Sequence, residues 1–499
     1  MPLFLMRRAV LFALLLVPAA ASAQALTDRV SAAGYFRLMA RPDFMGGDGR
    51  LGYWNLYGRL MNEGPWAALE LKLDLLQPRA GSDDTWASVY ARIEGGSVTN
   101  MDALGGSLAV FRLAQLYARA GNVLVDDVVW QLGTLTYFFG DLGLYDMRPA
   151  QVFDDTIGVS ARLSKKHFEV LLGVGDSGFG VRGLKYVPLL TAGGAAKFRV
   201  NHFEIGAGGQ VAYEPFIEGS KNSSYVTPDV PYEDYKRREV VTRFLQANPG
   251  QESLFPDPVQ ARQASVSYRV IGYLGFGGFG PLVWNNFFIR WQRKHPELSY
   301  QELSGGRAFD IYTADLTRDR YSFQMGDELQ LRIIKDRLDL VLAGLYGFDR
   351  DDQNTIAAGE DNREYMSAVL RLQGYFNKYI HALAETSIAR ERSLNGNLYR
   401  EHVDSVFQSA GGLSDSRGLE YGDAPTRTTW QVKVGPVLNP GGFGIFARPS
   451  LRLMYGAQFS TQQAAFGNGF VETLDQFNNF PSVERHWHHL VSLEAEAWF

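Results

Sequence analysis

Residues 69 to 75 read LELKLDL, so Leu69, Leu71, Leu73 and Leu75 fall at one parity and Glu70, Lys72 and Asp74 at the other. A β-strand sends alternate side chains to opposite faces. This stretch therefore predicts a strand with one apolar and one polar face. The chain ends on the same pattern, LVSLEAEAWF, with Val491, Leu493, Ala495, Ala497 and Phe499 alternating with Ser492, Glu494, Glu496 and Trp498. Similar runs are joined by short polar turns at Ser164 to His167, Asn201-His202, Lys335-Asp336 and Asn377-Lys378, as tight hairpins require. Between the hairpins lie much longer polar connections, about Glu214 to Arg262, Arg293 to Arg320, Arg390 to Arg427 and Ser460 to Glu484. The runs number about 18, with 16 as the alternative.

The amino terminus obeys a different rule. Arg7 and Arg8 precede an apolar run from Ala9 to Val17, and small residues follow with Ala-x-Ala at Ala21 to Ala23 or Ala23 to Ala25. The run is too short to cross a bilayer, which takes roughly 20 apolar residues. It reads as a cleavable secretory signal spanning residues 1–23, or 1–25 with the later site. Removal takes away Arg7 and Arg8 and moves the formal charge from −5 to −7.

Composition then decides what the strands build. The remaining 26–499 is long enough for several domains of about 100–200 residues, yet no linker, repeat or composition shift divides it. One large closed sheet accounts for that. The chain holds 53 Gly, 32 Phe, 24 Tyr, 9 Trp and no Cys, and its mean hydropathy is negative. A membrane barrel has this balance because only every second residue faces lipid. An exported chain without disulfides needs another source of stability, and a closed barrel supplies it by pairing every backbone group. The expected fold is all-β, a transmembrane antiparallel barrel of about 18 strands in the bacterial outer membrane, with both termini, like the short turns, at the periplasmic rim. LVSLEAEAWF becomes its closing strand, with Glu494 and Glu496 turned to a hydrated lumen and the terminal aromatic in the interfacial girdle. Its ending resembles the carboxy-terminal signal by which bacterial barrels are recognised for insertion.

Several separated stretches go further. GYFR at Gly34 to Arg37, GRLMNE at Gly58 to Glu63 followed by LELKL, VFRLAQLYARAGN at Val110 to Asn122, ARPSLRLMYG and the final LEAEAWF occur in an order that resembles the maltoporin, or LamB-type, sugar porins. The resemblance anchors both ends of the chain, whereas residues 160 to 440 match only in style. It implies a homotrimer and an inward loop that narrows the pore. It also implies a row of aromatics on which sugar rings slide while ionic groups hydrogen-bond the hydroxyls. Carried over residue by residue, it makes Tyr35 a slide aromatic and Arg37, Arg59, Glu70 and Arg112 members of the polar track. Parity adds Trp66, which shares a face with Glu70, Lys72 and Asp74.

The segment WQLGTLTYFFGDLGLYDMRPAQVFDDTIG departs from that family. Thr134-Leu135 replace a Lys-Arg pair, Met147 to Ala150 replace an aromatic cluster, and a slide aromatic is missing at Ala68. Asp141 and Asp146 still match. The expected constriction lies near residues 138–156, where Asp141, Asp146, Asp154 and Asp155 beside Arg148 could set up the transverse field of a general porin. The expected function is passive diffusion of small hydrophilic solutes, oligosaccharides such as maltodextrins first, with lipid, sugars and ions as partners. A general or anion-selective porin, and a receptor or enzyme barrel that does not transport, remain open.

Other chemistry finds little support. His486 and His488 of HWHH share a face, but no matching ligand cluster accompanies them. GYLGFGGFGP at Gly272 to Pro281 lacks the Lys and helix of a phosphate loop and reads as a flexible hairpin loop. No nucleophile motif is recognisable, so no catalytic residue and no cofactor is expected. An acidic chain without a basic stripe disfavours nucleic acid.

Overall fold

The computed structural model describes residues 29–40, 66–77, 84–96, 111–153, 156–178, 189–214, 265–294, 299–304, 307–312, 320–351, 363–393, 426–461 and 487–499. The signal segment therefore lies outside the described residues, as do Arg59, Asp154, Asp155 and His486. The strands in chain order are β1 (Val30–Ala40), β2 (Trp66–Leu76), β3 (Trp86–Gly96), β4 (Phe111–Gly121), β5 (Val128–Leu135), β6 (Thr156–Ser164) and β7 (Phe168–Asp176). They continue as β8 (Leu190–Val200), β9 (Phe203–Glu214), β10 (Ser265–Phe279), β11 (Leu282–Lys294), β12 (Ser299–Ser304), β13 (Arg307–Tyr312) and β14 (Arg320–Ile334). The last are β15 (Leu338–Asp351), β16 (Arg363–Tyr375), β17 (Ile380–Ser393), β18 (Thr426–Leu438), β19 (Ser450–Ser460) and β20 (Trp487–Trp498).

Eighteen of these form one sheet in which each strand pairs with its neighbours in chain order, and β1 pairs with β20 to close it. β12 and β13 stand apart as a two-stranded hairpin inside the connection between β11 and β14. The period-two pattern could not find that hairpin inside a long polar segment. Closure is completed by Gly34 and Phe499, which exchange backbone hydrogen bonds of 2.8 and 3.0 Å. A side chain at residue 34 would collide with the Phe499 ring, so glycine permits the terminal residue to lie against β1.

The faces are inverted relative to a soluble protein. Leu132, Leu172, Val174, Ile205 and Val270 are exposed, while Glu328, Arg371, Gln431 and Glu494 are buried. An apolar exterior around a polar interior is the distribution that lipid imposes on a closed barrel. Among the described residues no helix is long and apolar enough to cross a membrane, and the strands do the crossing.

Four turns fall where the sequence placed them, and their chemistry explains why. Asn201 and Asp336 adopt φ of 48° and 57°, the left-handed region that Asn and Asp enter most easily. Asn377 accepts backbone N–H bonds from Tyr379 and Ile380 at 2.8 and 2.9 Å. The Gly272 to Pro281 stretch is a different case. It was expected as a flexible loop, but Gly272 to Phe279 belong to β10 and only a tight turn follows. Its glycines are interspersed with Tyr273, Leu274, Phe276 and Phe279 in a strand that close neighbours crowd.

The interior is filled on one side. Residues 136–153, between β5 and β6, fold into the barrel and pack on the inner faces of β7 to β11 and β14 to β17. Leu142, Leu144, Tyr145, Val152 and Phe153 bury themselves against Ile271, Tyr273, Phe288, Val341, Leu345 and Val369. Each large side chain so buried contributes about 1.5–3 kcal/mol. The wall is shaped to receive them: Phe139 lies in the space that side chains at Gly206 and Gly208 would fill, and Phe153 in that of Gly173 and Gly193. A second segment, 439–449 between β18 and β19, adds Ile445 and Phe446 to the same apolar cluster.

Candidate functional site

Because the inward segment packs on the far wall, the space left open among the described residues lies against β1, β2 and β3. A cavity of about 370 Å³ is lined there by Tyr35, Arg37, Trp66, Ala68, Glu70, Arg92, Asp146, Arg148, Trp498 and Phe499. The register explains the convergence. Tyr35 pairs with Ala68 and with Trp498, and Arg37 with Trp66 and Glu496, so one parity of three adjacent strands faces the lumen at one level. Tyr35, Arg37, Trp66, Glu70 and Asp146 thereby line one cavity.

Charged groups form a ladder along this wall. Arg92 donates to Glu70 at 2.6 Å and to Glu94 at 2.9 Å, and Arg112 donates to the other oxygen of Glu94 at 3.0 Å. Arg112 faces the lumen only through a β-bulge. Arg92 pairs with Gln115 while Ile93 pairs with Leu113, leaving Ala114 unpaired and reversing the parity of β4. Without that extra residue Arg112 would share the outward face of the exposed Leu116. Further along, Tyr90 and Tyr117 stack at 4.9 Å, and the Arg119 guanidinium lies over Tyr117 at 4.8 Å.

Tyr35 and Arg37 are less free than slide and track residues would be. The Tyr35 hydroxyl donates to Glu496 at 2.9 Å, and its ring meets Trp498 edge-on at 5.1 Å. Arg37 is buried, donates to the Tyr35 hydroxyl at 3.2 Å and faces Asp146 at 3.8 Å. Glu494 and Glu496 were expected in a hydrated lumen. They point inward but are buried in an ionic network with Lys433, Arg448 and Arg452. Parity gives the direction of a side chain, and the packing of distant segments decides whether water reaches it.

Asp141 is placed elsewhere. Its carbonyl accepts from Asn286 of β11 at 3.0 Å, on the far wall, so it does not join Asp146 at the cavity. The neighbouring segment is tied down at several points. The Leu144 N–H donates to Glu328 at 2.7 Å, Arg269 donates to the Gln151 carbonyl at 3.1 Å, and the Tyr145 hydroxyl shares a 2.8 Å bond with Ser367. The Tyr137 hydroxyl donates to Glu169 at 2.7 Å. Burial, reinforced by that carboxylate, pushes the Tyr137 phenol well above its ordinary range, and burial does the same for Tyr145.

Arg92, Arg119 and Trp498 were not singled out from sequence, although the alternation in WASVYARIEGG already places Tyr90, Arg92 and Glu94 on one face. His489 belongs to the outer surface. It bonds the Tyr455 hydroxyl at 2.7 Å and stacks on Trp487. Among the described residues no group of three potential ligands could hold a metal ion.

No family model matches the chain. No curated protein matches it either. Among solved structures it is similar to the outer membrane channel DcaP of Acinetobacter baumannii, at 10% identity over 94% of this chain and 97% of that one, with a TM-score of 0.47. It is also similar to an anion-selective porin from Comamonas acidovorans, at 7% identity over 94% and 99% with a TM-score of 0.40. OccK11 of Pseudomonas aeruginosa matches at 10% identity over 95% and 97%, with a TM-score of 0.39. The class rests on the chain's own strands: it is a closed 18-stranded antiparallel β-barrel with an apolar exterior. Such a barrel resides in the bacterial outer membrane.

Proposed function

We propose that the barrel is a passive diffusion channel for small hydrophilic solutes, with oligosaccharides such as maltodextrins among its permeants. The observation that carries this reading is the asymmetric filling of the lumen among the described residues: residues 136–153 pack on β7 to β11 and β14 to β17, and a cavity of about 370 Å³ lies on the β1 to β3 side. The groups around it suit a sugar. Tyr35, Trp66 and Trp498 offer aromatic faces or edges, and Arg37, Glu70, Arg92 and Asp146 offer ionic partners for hydroxyls. Contacts of this strength hold a solute without trapping it. The maltoporin resemblance supports both the sugar and a homotrimeric assembly.

The test is single-channel recording of the refolded full chain in a planar bilayer, titrated with maltodextrins of increasing length. Saturable block that strengthens with chain length supports sugar passage. Steady ohmic current without block leaves a general porin, and absence of current rejects the channel.

A further inference from the structure

Among the described residues, the charges beside the cavity do not balance. Glu70 and Glu94 are both held by Arg92, at 2.6 and 2.9 Å, and Asp146 faces Arg37 at 3.8 Å. Arg112 shares Glu94 at 3.0 Å and keeps 72% of its side chain exposed. Arg148, in the returning arm of the inward segment, contacts no carboxylate among the described residues. Its guanidinium lies over the Phe138 ring at 4.4 Å, and it is exposed while lining the cavity. Among the described residues four arginines thus answer three carboxylates, and the unmatched one faces the space in which a solute sits. A lumen narrowed by apolar packing strengthens the field of such a charge.

We propose that this cavity binds acidic sugars, with the carboxylate of a hexuronate on Arg148 and its pyranose face on Trp66. A guanidinium offers a carboxylate two parallel N–H bonds, a geometry no neutral hydroxyl reproduces. The aromatic ring accounts for the sugar rather than any small acid, because a short aliphatic acid has no ring face to stack. The volume, about 370 Å³, lies within the roughly 300–1,000 Å³ of small-molecule sites. The proposal rests on the diffusion-channel reading and deepens it by naming the solute class.

The experiment compares trigalacturonate, maltotriose and succinate as blockers of the refolded full chain in planar bilayers. Trigalacturonate is expected to half-block at a concentration about ten-fold below maltotriose, a difference of ~1.4 kcal/mol. Succinate is expected to block far less well than trigalacturonate. In Arg148→Gln the two trisaccharides should become equal, and Arg148→Lys should keep part of the preference. Equal block of the native channel by both trisaccharides, an undiminished preference in Arg148→Gln, or succinate as effective as trigalacturonate would overturn the proposal. If no current flows, the channel reading fails on its own. Calorimetric titration of the detergent-solubilised barrel then decides the site, with tighter binding of trigalacturonate than of maltotriose supporting it and equal binding rejecting it.

Discussion

The backbone N–H of Leu144 donates to Oε2 of Glu328, 2.7 Å away across the lumen, and fastens the tip of the inward segment to β14. Glu328 is buried, and its other oxygen accepts from Gln330 at 3.2 Å. Removing it leaves a buried N–H without its acceptor, at a cost of about 1–3 kcal/mol. Glu328→Ala should therefore loosen the tip, and single-channel recordings should show larger and noisier conductance. A conductance indistinguishable from the native channel would mean that the apolar contacts alone hold the segment.

Those contacts are the second target. Phe139 stacks on Tyr273 at 5.6 Å and occupies the space left by Gly206 and Gly208. Phe139→Ala should weaken docking by about 3–5 kcal/mol, the range for deleting a buried Phe. Gly206→Val should expel the ring from the other side. Both variants should keep the heat-modifiable gel mobility of a folded barrel and conduct more, because the strands pair with one another in a closed sheet without the segment. Loss of the folded barrel in both would instead make the segment part of the folding core.

Much of this was legible in the sequence, and the limits have physical reasons. Period two gave the strands, and Asn201, Asp336 and Asn377 gave the turns, because both depend on neighbouring residues alone. The inward faces of Tyr35, Arg37, Trp66 and Glu70 followed from parity for the same reason. Arg112 turns inward through a bulge at Ala114, which strict parity along β4 argues against. The burial of Glu494 and Glu496 was not legible, since it depends on contacts with β18, β19 and the segment 439–449. Nor was the separation of Asp141 from Asp146. Five residues apart in the chain, they diverge because Asn286 takes the carbonyl of the first while Arg37 faces the second.

Arg112 offers a sharp test of the polar wall. Its side chain is largely exposed and, among the described residues, has one ionic partner, Glu94, so it contributes little to stability and much to the local potential. Arg112→Ala should leave thermal stability within about 0.5 kcal/mol and lower the anion-to-cation permeability ratio, read from the reversal potential in a salt gradient. An unchanged ratio would remove Arg112 from the permeation path.

The tyrosines of the inward segment predict a response to alkali. Tyr137 donates to the Glu169 carboxylate and Tyr145 is buried against Ser367, and both hold their protons more tightly in the docked segment than free in water. A group whose docked pKa is raised contributes its full stabilisation below the free value, about 10 for a phenol, and loses it as pH climbs above that value. Conductance should therefore stay constant through neutral pH and rise above about pH 10, as deprotonation favours the undocked segment. Tyr137→Phe removes the phenol that would otherwise face a carboxylate, so this variant should shift the rise upward or flatten it. A rise of the same size and midpoint in Tyr137→Phe would assign the alkaline response to groups outside this contact.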